Sequence, residues 1–429
     1  MACSNLASDK PQQSDLDRCV HCGLCLNACP TYRELGVEMD SPRGRIYQMV
    51  QVAAGAPISE GYQQHIDLCL ACRACETACP SGVKYGRLVE AARAEIEART
   101  ERPWSTRVLR DFVFSTLLPS RAWLAFAGRM LWLYQKSGMQ SLTRTSRILN
   151  LFGDLGRAES LAPSAESPFF FSQIGRVFPA QGERKYKVAF LSGCIANVCF
   201  ARLNEATVRV LQANGCEVHV PDAQTCCGAL HVHSGLAESA RQLARKNIDA
   251  VLGQDFDAII TNAGGCGSTL KEYDHLLEHD LGYSGKAREF TALMKDVNEF
   301  LAGIPLNREM GTVPWTVTYQ DSCHLAHGQK VRSAPRELLR AVPGLTLKEM
   351  AGSDQCCGSA GIYNVVHTEM SLSLLEKKMA NVNRTKADVL VTANPGCMLQ
   401  LKAGAEKFGG GQRVYHVVEV LDAAYAAKR

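Results

Sequence analysis

The chain has 429 residues, of which 46% are hydrophobic and 21% charged, the composition of an ordinary globular protein with about two to four domains. Its net charge of +4 is too small and too evenly spread to indicate nucleic-acid binding. Nineteen cysteines are the exceptional feature, and residues 1–17 lack the apolar segment of a secretory signal. We therefore expect a cytoplasmic chain whose thiols serve metals and do not form disulfides.

Two cysteine motifs lie near the N-terminus, from Cys19 to Pro30 and from Cys69 to Pro80. Both have the spacing C-x2-C-x2-C-x3-C-P, which is typical of [4Fe–4S] ligation in bacterial ferredoxins. In two-cluster ferredoxins the fourth cysteine of each motif ligates the other cluster. The pattern predicts a first cluster on Cys19, Cys22, Cys25 and Cys79, and a second cluster on Cys69, Cys72, Cys75 and Cys29.

The main alternative is a pair of zinc sites, which also use C-x2-C pairs. Zinc needs four ligands and has no use for the third evenly spaced cysteine or the trailing proline, so the spacing favours clusters. Helical patterns cover Ile46 to Ala54 and Val83 to Thr100. Residues 1–102 are therefore predicted to form an α-helical, ferredoxin-like domain with two clusters.

Residues 103–182 are predicted to be a helical connector that ends in a linker. The longest apolar stretch, Phe112 to Tyr134, is interrupted by Pro119, Arg121 and Arg129 and falls short of the ~18–20 residues of a membrane span. It is interpreted as a pair of packing helices or as a face that lies on a membrane surface or a partner subunit. Residues 161–182 lack periodicity and are expected to form a linker that packs in part through Phe169, Phe170 and Phe171.

The remainder contains an internal repeat, which divides it into a first repeat (183–310) and a second repeat (311–429). Three landmarks recur after 129, 130 and 131 residues: Lys187–Cys194 as Trp315–Cys323, Cys226-Cys227-Gly228 as Cys356-Cys357-Gly358, and Ala258–Cys266 as Val389–Cys397. Short apolar strands alternate with helical stretches in both copies, which favours parallel α/β units. The predicted fold class is thus α+β multidomain: a helical two-cluster domain followed by two α/β Cys-Cys-Gly domains.

Each repeat places cysteines where strands end, and ligands gather at that edge of a parallel sheet. Two candidate metal or cluster sites follow: Cys194, Cys226, Cys227 and Cys266 in the first repeat, and Cys323, Cys356, Cys357 and Cys397 in the second. Side chains of adjacent cysteines diverge, so a cluster suits them better than a single ion. Buried unligated thiols and reversible thiol–disulfide chemistry are the alternatives. The nearby histidines are expected to be surface or hydrogen-bonded side chains and not ligands: His231, His233, His324 and His327.

The sequence has neither a Gly-x-Gly-x-x-Gly motif after a strand nor a P-loop, so no nucleotide-binding motif is recognised. A chain with clusters but no cofactor that handles hydride does not itself oxidise an organic substrate by two electrons. We therefore expect a flavin or a similar cofactor on a partner polypeptide, and no catalytic residue in this chain.

These features together resemble the iron–sulfur subunit family of glycolate oxidase (glycolate dehydrogenase), over essentially the whole chain. The most specific stretch runs from Cys19 to Tyr47. Further support comes from Cys226–Ala229, Lys271–Tyr273, Cys356–Gly361 and Val391–Asn394. The resemblance implies partner subunits that contain FAD and oxidise glycolate to glyoxylate. It further implies that this chain collects the electrons on two [4Fe–4S] clusters and passes them to a respiratory acceptor, a quinone or cytochrome, at the inner membrane face.

Relatives with the same architecture leave alternatives open, namely iron–sulfur subunits for lactate or glycerol-3-phosphate oxidation and heterodisulfide-reductase-like thiol–disulfide chemistry. In heterodisulfide reductase the Cys-Cys-Gly domain ends in Cys-x-x-Cys, which supplies a fifth thiolate. Here the corresponding stretches read Cys266-Gly-Ser-Thr269 and Cys397-Met-Leu-Gln400. The missing fifth cysteine argues against heterodisulfide chemistry.

Overall fold

The computed structural model describes residues 9–146, 159 and 163–428. Within them an α-helical N-terminal part is followed by a helical connector and two α/β units, as predicted for the α+β multidomain class. Residues 147–158 and 160–162, which belong to the predicted connector and linker, lie outside the described residues.

From residue 9 onward the N-terminal part contains six α-helices and a 3-10 turn (Glu38–Asp40); the helices are α1 (Gln13–Leu16), α2 (Pro30–Leu35), α3 (Pro42–Ala53), α4 (Glu60–Asp67), α5 (Ala74–Thr77) and α6 (Tyr85–Arg99). Helix α3 begins four residues before the apolar pattern because Ser41 accepts a hydrogen bond from the Gly44 amide (3.0 Å) and Pro42 occupies the first helical position. Apolar side chains of α3, α4 and α6 pack together beneath the cysteine loops.

The connector contains α7 (Trp104–Asp111), a π-helical turn (Phe112–Leu117), α8 (Arg121–Lys136) and α9 (Met139–Ser146). Beyond it, Phe170 is 1% exposed and meets Phe190 edge to face at 6.0 Å, so the linker does pack through its phenylalanines. None of the helices in the described part of the chain is both long and apolar enough to cross a membrane.

The first repeat and the end of the linker, which supplies β1, form a five-stranded sheet in the order β1-β3-β2-β4-β5. Its strands are β1 (Val177–Phe178), β2 (Tyr186–Phe190), β3 (Cys216–His219), β4 (Ala258–Thr261) and β5 (Met294–Asp296). All neighbouring strands are parallel except β1, which pairs antiparallel with β3. The helices are α10 (Ala196–Cys199), α11 (Ala201–Ala213), α12 (Ala229–His233), α13 (Ala237–Val251), α14 (Gly264–Leu270), α15 (Tyr273–Leu276), α16 (Ser284–Leu293) and α17 (Val297–Ala302).

The second repeat has a four-stranded parallel sheet in the order β7-β6-β8-β9. Its strands are β6 (Thr316–Tyr319), β7 (Thr346–Lys348), β8 (Val389–Thr392) and β9 (Arg413–His416), and its helices are α18 (Ala334–Arg340), α19 (Tyr363–Val366), α20 (Thr368–Thr385), α21 (Pro395–Lys407) and α22 (Val417–Ala426). The order matches β3-β2-β4-β5 strand for strand. Every residue of β4 and of β8 is buried, because helices cover both faces of these central strands.

The two repeats share one hydrophobic core. Helix α22 of the second repeat packs against α11 of the first, and Arg209 and Asp422 form an ion pair of 2.7 Å across this contact. Tyr425 receives a hydrogen bond from the Asn214 side-chain amide (3.0 Å) and donates one to the Asn307 carbonyl (2.9 Å). The repeats are therefore two halves of one packed body.

Candidate functional site

Two small cavities lined by cysteines lie in the N-terminal part. The first is lined by Cys19, Cys22, Cys25 and Cys79. The second is lined by Cys29, Cys69, Cys72 and Cys75. Each cavity thus contains three cysteines of one motif and the last cysteine of the other, which is the crossed grouping expected from the spacing.

The two cysteine loops adopt the same backbone conformation. His21 and Gly23 have positive φ angles of 54° and 84°, and the corresponding residues Ala71 and Arg73 have 51° and 63°. Left-handed conformation is uncommon for residues other than glycine and costs about 1 kcal/mol or more. Its repetition at equivalent positions shows that each loop is curved tightly enough to direct three thiols inward.

The cavities differ in exposure. All four cysteines of the second cavity are buried, whereas Cys22 of the first is exposed. Val20 and Leu24, which flank Cys22, are 67% and 61% exposed. The first cavity therefore lies at the protein surface and the second lies inside.

Polar groups surround the sulfur atoms of the second cavity. The Ala71 amide donates to Cys69 Sγ at 3.4 Å, and the Tyr85 hydroxyl donates to the same sulfur at 3.7 Å. The Arg45 side chain is 0% exposed, and its Nη1 lies 4.0 Å from Cys29 Sγ. Such donors and a buried cation stabilise negative charge on sulfur.

Burial raises the pKa of Cys72 and of Cys75 well above the ordinary thiol value. Thiolates at these positions need a strong local positive charge, which iron supplies in a cluster. Four thiols around one space, with hydrogen-bond donors beside them, form the donor set that a [4Fe–4S] cluster requires. The residues present in both cavities fit that group.

The four cysteines of the first repeat also come together. Cys194 follows β2, the Cys226-Cys227 pair precedes α12, and Cys266 lies in the first turn of α14. Cys194 Sγ is 3.5 Å from Cys226 Sγ, and Cys227 contacts both Cys226 and Cys266. The pKa of Cys194 is raised well above the ordinary thiol value, mainly by the hydrogen bond with Cys226 and secondly by burial.

The second repeat has the same arrangement. Cys323 contacts Cys356, and Cys357 contacts both Cys356 and Cys397. Contact with Cys356, together with burial, raises the pKa of Cys357 to about 12. Among the described residues no group of three or more His, Cys, Asp or Glu side chains is arranged to hold a single metal ion.

The second cavity is next to the cysteines of the second repeat. Leu70 and Cys72 pack in one buried cluster with Cys356 and Tyr363, and Cys323 lies at its edge. The Tyr363 hydroxyl donates to the Leu68 carbonyl at 3.1 Å. The cysteines of the first repeat have different neighbours, because Cys194 packs near Phe114 and Leu118 of the connector. The two cysteine groups are therefore placed differently relative to the N-terminal part.

Arg73 connects the second cysteine loop to the first repeat. Its guanidinium forms ion pairs with Glu76 (3.0 Å) and Glu272 (2.8 Å) and donates to Ser268 Oγ at 3.2 Å. The side chain is 7% exposed, and the two carboxylates outweigh the effect of burial and raise the pKa of Arg73. This network holds the loop that contains Cys72 and Cys75.

The histidines that follow the first Cys-Cys-Gly motif and Cys323 form hydrogen bonds or an ion pair. His231 Nε2 donates to the Phe114 carbonyl (2.8 Å) and His324 Nε2 donates to the Ala71 carbonyl (2.9 Å). Burial lowers the pKa of His324 to about 3, so the imidazole is neutral. His233 Nδ1 pairs with Glu90 at 3.0 Å, and His327 Nδ1 pairs with Thr77 at 2.9 Å. His233, His324 and His327 thus join the repeats to the N-terminal part, and His231 joins the first repeat to the connector.

Sequence reasoning did not identify Arg45, Arg73 or Glu272 as functional residues. Arg45 and Glu272 do lie in two of the stretches that carry the family resemblance, 19–47 and 271–273. The position of Arg45 and Glu272 within these family-specific stretches was therefore the signal by which the sequence could have identified them. For Arg73 the only signal was its position between two cysteines.

Sequence comparison matches three families to successive parts of the chain. A 4Fe-4S dicluster domain covers residues 15–83, a glycolate oxidase iron-sulfur subunit linker region covers 105–162, and a cysteine-rich domain covers 188–271 and again 317–402. The chain thus contains a domain for two [4Fe–4S] clusters followed by two cysteine-rich domains.

Three relatives are informative. The probable glycolate oxidase iron-sulfur subunit of Bacillus subtilis is 42% identical, over 97% of this chain and 96% of that protein. The glycolate oxidase iron-sulfur subunit of Escherichia coli is 33% identical, over 96% and 94%. Lactate utilization protein A of Bacillus cytotoxicus is 32% identical over 55% of this chain and 98% of its own length. The chain belongs to the glycolate oxidase iron–sulfur subunit family.

Proposed function

We propose that this chain is the electron-transfer subunit of a flavin-dependent dehydrogenase that oxidises glycolate to glyoxylate. FAD on partner subunits would accept the two electrons of the substrate, and bound clusters supply one-electron carriers in this chain. The electrons then pass to a respiratory acceptor, a quinone or cytochrome, at the inner face of the membrane. The proposal is supported by similarity over the full chain to two glycolate oxidase subunits.

The observation that carries the proposal is the pair of cysteine-lined cavities. We assign Cys19, Cys22, Cys25 and Cys79 to one cluster and Cys29, Cys69, Cys72 and Cys75 to the other, in agreement with the lining of the two cavities. Their different exposure suits a relay, because an accessible carrier exchanges electrons with a partner and a buried carrier passes them inward.

The decisive experiment compares the purified chain alone with the chain mixed with its flavoprotein subunits. The isolated chain is expected to have the broad absorption of iron–sulfur clusters and no glycolate-dependent dye reduction. Dye reduction should appear when the flavoprotein is added, and the variant Cys72→Ser should abolish transfer beyond the flavin. Glycolate oxidation by the isolated chain would contradict the proposal.

A second candidate substrate is lactate, which is favoured by the similarity to lactate utilization protein A over 55% of the chain. Glycerol-3-phosphate remains a third. The same reconstituted assay, with glycolate, lactate and glycerol-3-phosphate offered in turn, separates them, because the substrate is selected by the partner flavoprotein.

The alternative to an electron-transfer subunit is a thiol–disulfide reductase with its catalytic centres at the Cys-Cys-Gly sites. It predicts that Cys227→Ser or Cys357→Ser abolishes turnover and leaves the absorption of the two cubane clusters intact. Iron analysis tests the contents of these sites directly. About eight irons per chain correspond to two [4Fe–4S] clusters alone, and about twelve place further iron in the repeats.

A further inference from the structure

The connector presents a large apolar surface to solvent, which we call the connector face. Ten of the twenty-one large apolar side chains exposed in the described residues belong to it: Trp104, Val108, Leu109, Phe112, Trp123, Phe126, Met130, Leu133, Met139 and Leu142. They lie within a stretch of fewer than forty residues. Isolated exposed apolar residues are ordinary, but a continuous patch of this kind marks a surface that meets an apolar partner.

Helix α8 is apolar on two opposite sides. Its inner side packs through Leu124 and Gly128, and an added Cβ at Gly128 would lie 2.7 Å from Val198. Its outer side carries a stripe at intervals of three and four residues: Trp123, Phe126, Met130 and Leu133. A helix that only covered the protein core would have polar residues on this outer side.

The stripe continues from α8 to Phe112, the first residue of the π-helical turn that follows α7. Phe112 meets Trp123 edge to face with ring centroids 5.8 Å apart, and Trp123 meets Phe126 in the same way at 6.0 Å. Helix α7 contains no buried residue, and Trp104 at its start is 77% exposed. Phe112, Trp123 and Phe126 therefore form one exposed aromatic cluster, and the adjoining helix α7 adds exposed apolar side chains beside it.

The charge around this surface is positive. Residues 104–146 contain six cations and one anion: Arg107, Arg110, Arg121, Arg129, Lys136 and Arg144, against Asp111. Three of the cations are paired, Arg110 with Glu97, Arg121 with Asp222 and Arg144 with Glu159. Within the described residues the other three have no ion-pair partner. Residues 104–146 thus have a net charge of +5, and an excess of +2 remains after the three carboxylates that pair with them are counted.

We propose that the connector face docks on the surface of an anionic lipid bilayer. Tryptophan, phenylalanine and leucine on one face with arginine and lysine beside them are the composition of interfacial helices. Long cationic side chains next to the stripe, such as Arg129 and Lys136, can reach lipid phosphates while the apolar residues enter the acyl boundary. A protein partner would have to supply a matching carboxylate for each cation, whereas an anionic lipid surface provides negative charge everywhere. The inference rests on the proposed function, in which electrons leave for an acceptor at the membrane.

The test measures cosedimentation of the full chain, with its clusters, and lipid vesicles. Phosphatidylglycerol–phosphatidylethanolamine vesicles should bind the chain, pure phosphatidylcholine vesicles should bind it weakly, and high salt should reduce binding. The double variant Phe126→Glu/Met130→Glu should bind anionic vesicles about tenfold more weakly or worse. The matched control Val177→Glu/Leu281→Glu makes the same change at two exposed apolar residues outside the face and should bind like the unmodified chain.

Cluster absorption and dye reduction with the flavoprotein serve as independent readouts, and both should be unchanged in the double variant. Failure of the unmodified chain to bind anionic vesicles, or equal binding by the double variant, overturns the inference. Loss of flavoprotein association in the double variant, with lipid binding retained, would assign the face to a protein partner and also overturn it. Absence of glycolate-dependent dye reduction together with normal lipid binding would overturn the proposed function alone.

Discussion

Arg73 and Glu272 form an ion pair of 2.8 Å between the second cysteine loop and the first repeat, although they lie in different domains of the sequence. Arg73 keeps Glu76 as a second partner, so removal of Glu272 leaves a buried cation half compensated. We expect Glu272→Ala to lower the free energy of unfolding by about 2–4 kcal/mol. Chemical denaturation followed by circular dichroism measures this change.

Two control variants make the Glu272 experiment specific. Glu272→Gln keeps the shape of the side chain and one hydrogen bond and should cost less. Glu278→Ala removes an acid that is 46% exposed and should change stability by less than about 0.5 kcal/mol. Equal stability of Glu272→Ala and Glu278→Ala would show that the ion pair does not hold the domains together.

Arg45 is expected to set the reduction potential of the second cluster. Its buried guanidinium lies 4.0 Å from Cys29 Sγ and favours the more negative, reduced state of a cluster there. The variant Arg45→Gln should lower the midpoint potential, by an amount on the order of 100 mV for a unit charge in a partly polar interior. Potentiometric titration followed by electron paramagnetic resonance measures it.

The matched change at the first cavity is Arg43→Gln. Arg43 donates to the His21 carbonyl at 2.9 Å, but its side chain is partly exposed and pairs with Glu38 at 2.7 Å, so water and that carboxylate offset its charge. A shift at the first cluster as large as that produced by Arg45→Gln at the second would contradict the role of burial.

The two Cys-Cys-Gly glycines should differ in their tolerance of a side chain. Gly228 and Gly358 have φ angles of 83° and 87°, so alanine is strained at both. An added Cβ at Gly358 would lie 2.5 Å from the Ser371 carbonyl oxygen, whereas at Gly228 the nearest atom is 3.4 Å away. Gly228→Ala should cost about 1–2 kcal/mol, and Gly358→Ala about 3 kcal/mol or more.

Gly411 supplies the control for backbone strain alone, because it has a φ of 77° and no atom within 4 Å of an added Cβ. Gly411→Ala should resemble Gly228→Ala in its denaturation midpoint. Similar midpoints for Gly358→Ala and Gly411→Ala would mean that the backbone near Ser371 moves aside at little cost.

His416 should make the protein less stable in mild acid. Burial lowers its pKa to about 4 in the folded chain, against about 6.5 when unfolded. As the pH falls through this interval, the unfolded chain binds a proton that the folded chain does not, so stability decreases. Between about pH 7.5 and about pH 5.5 the expected loss is roughly 1 kcal/mol.

The variant His416→Asn tests this assignment. Asparagine can still cap α22 by accepting from the Val418 amide, as His416 Nδ1 does at 3.2 Å, but it does not titrate. The difference in unfolding free energy between the two pH values should shrink by that same amount. An unchanged pH dependence would mean that other groups dominate acid destabilisation.

The fold class, the internal repeat and the central strands followed from the sequence because each depends on local patterns. The strand predicted from Ala258 and the strand predicted from Val389 begin at those residues as β4 and β8. Helix α6 spans Tyr85–Arg99, against Val83 to Thr100 as predicted. The antiparallel edge strand β1 was missed, because two residues in a stretch without periodicity give no pattern.

The relations between domains could not be predicted in the same way. The proximity of Cys72 to Cys356 and the ion pair of Arg73 with Glu272 depend on how separately predicted units pack. The spacing of residues within one motif does not indicate how that motif packs against another domain. Likewise, the sequence allowed the apolar stretch from Phe112 to Tyr134 to be either a pair of packing helices or an exposed face. The structure shows that it is both, because Gly128 packs against the protein whereas Trp123 and Phe126 on the opposite side are exposed.

The contact of α22 with α11 has a consequence for how the chain folds during synthesis. Residues 201–213 leave the ribosome about two hundred residues before their packing partner at 417–426 exists. Until then the face of α11 that later meets α22 stays uncovered, and Asn214 lacks Tyr425. The first repeat therefore reaches its final stability only after the second has been made, and a ribosome that stalls within residues 311–416 leaves an incomplete, aggregation-prone chain.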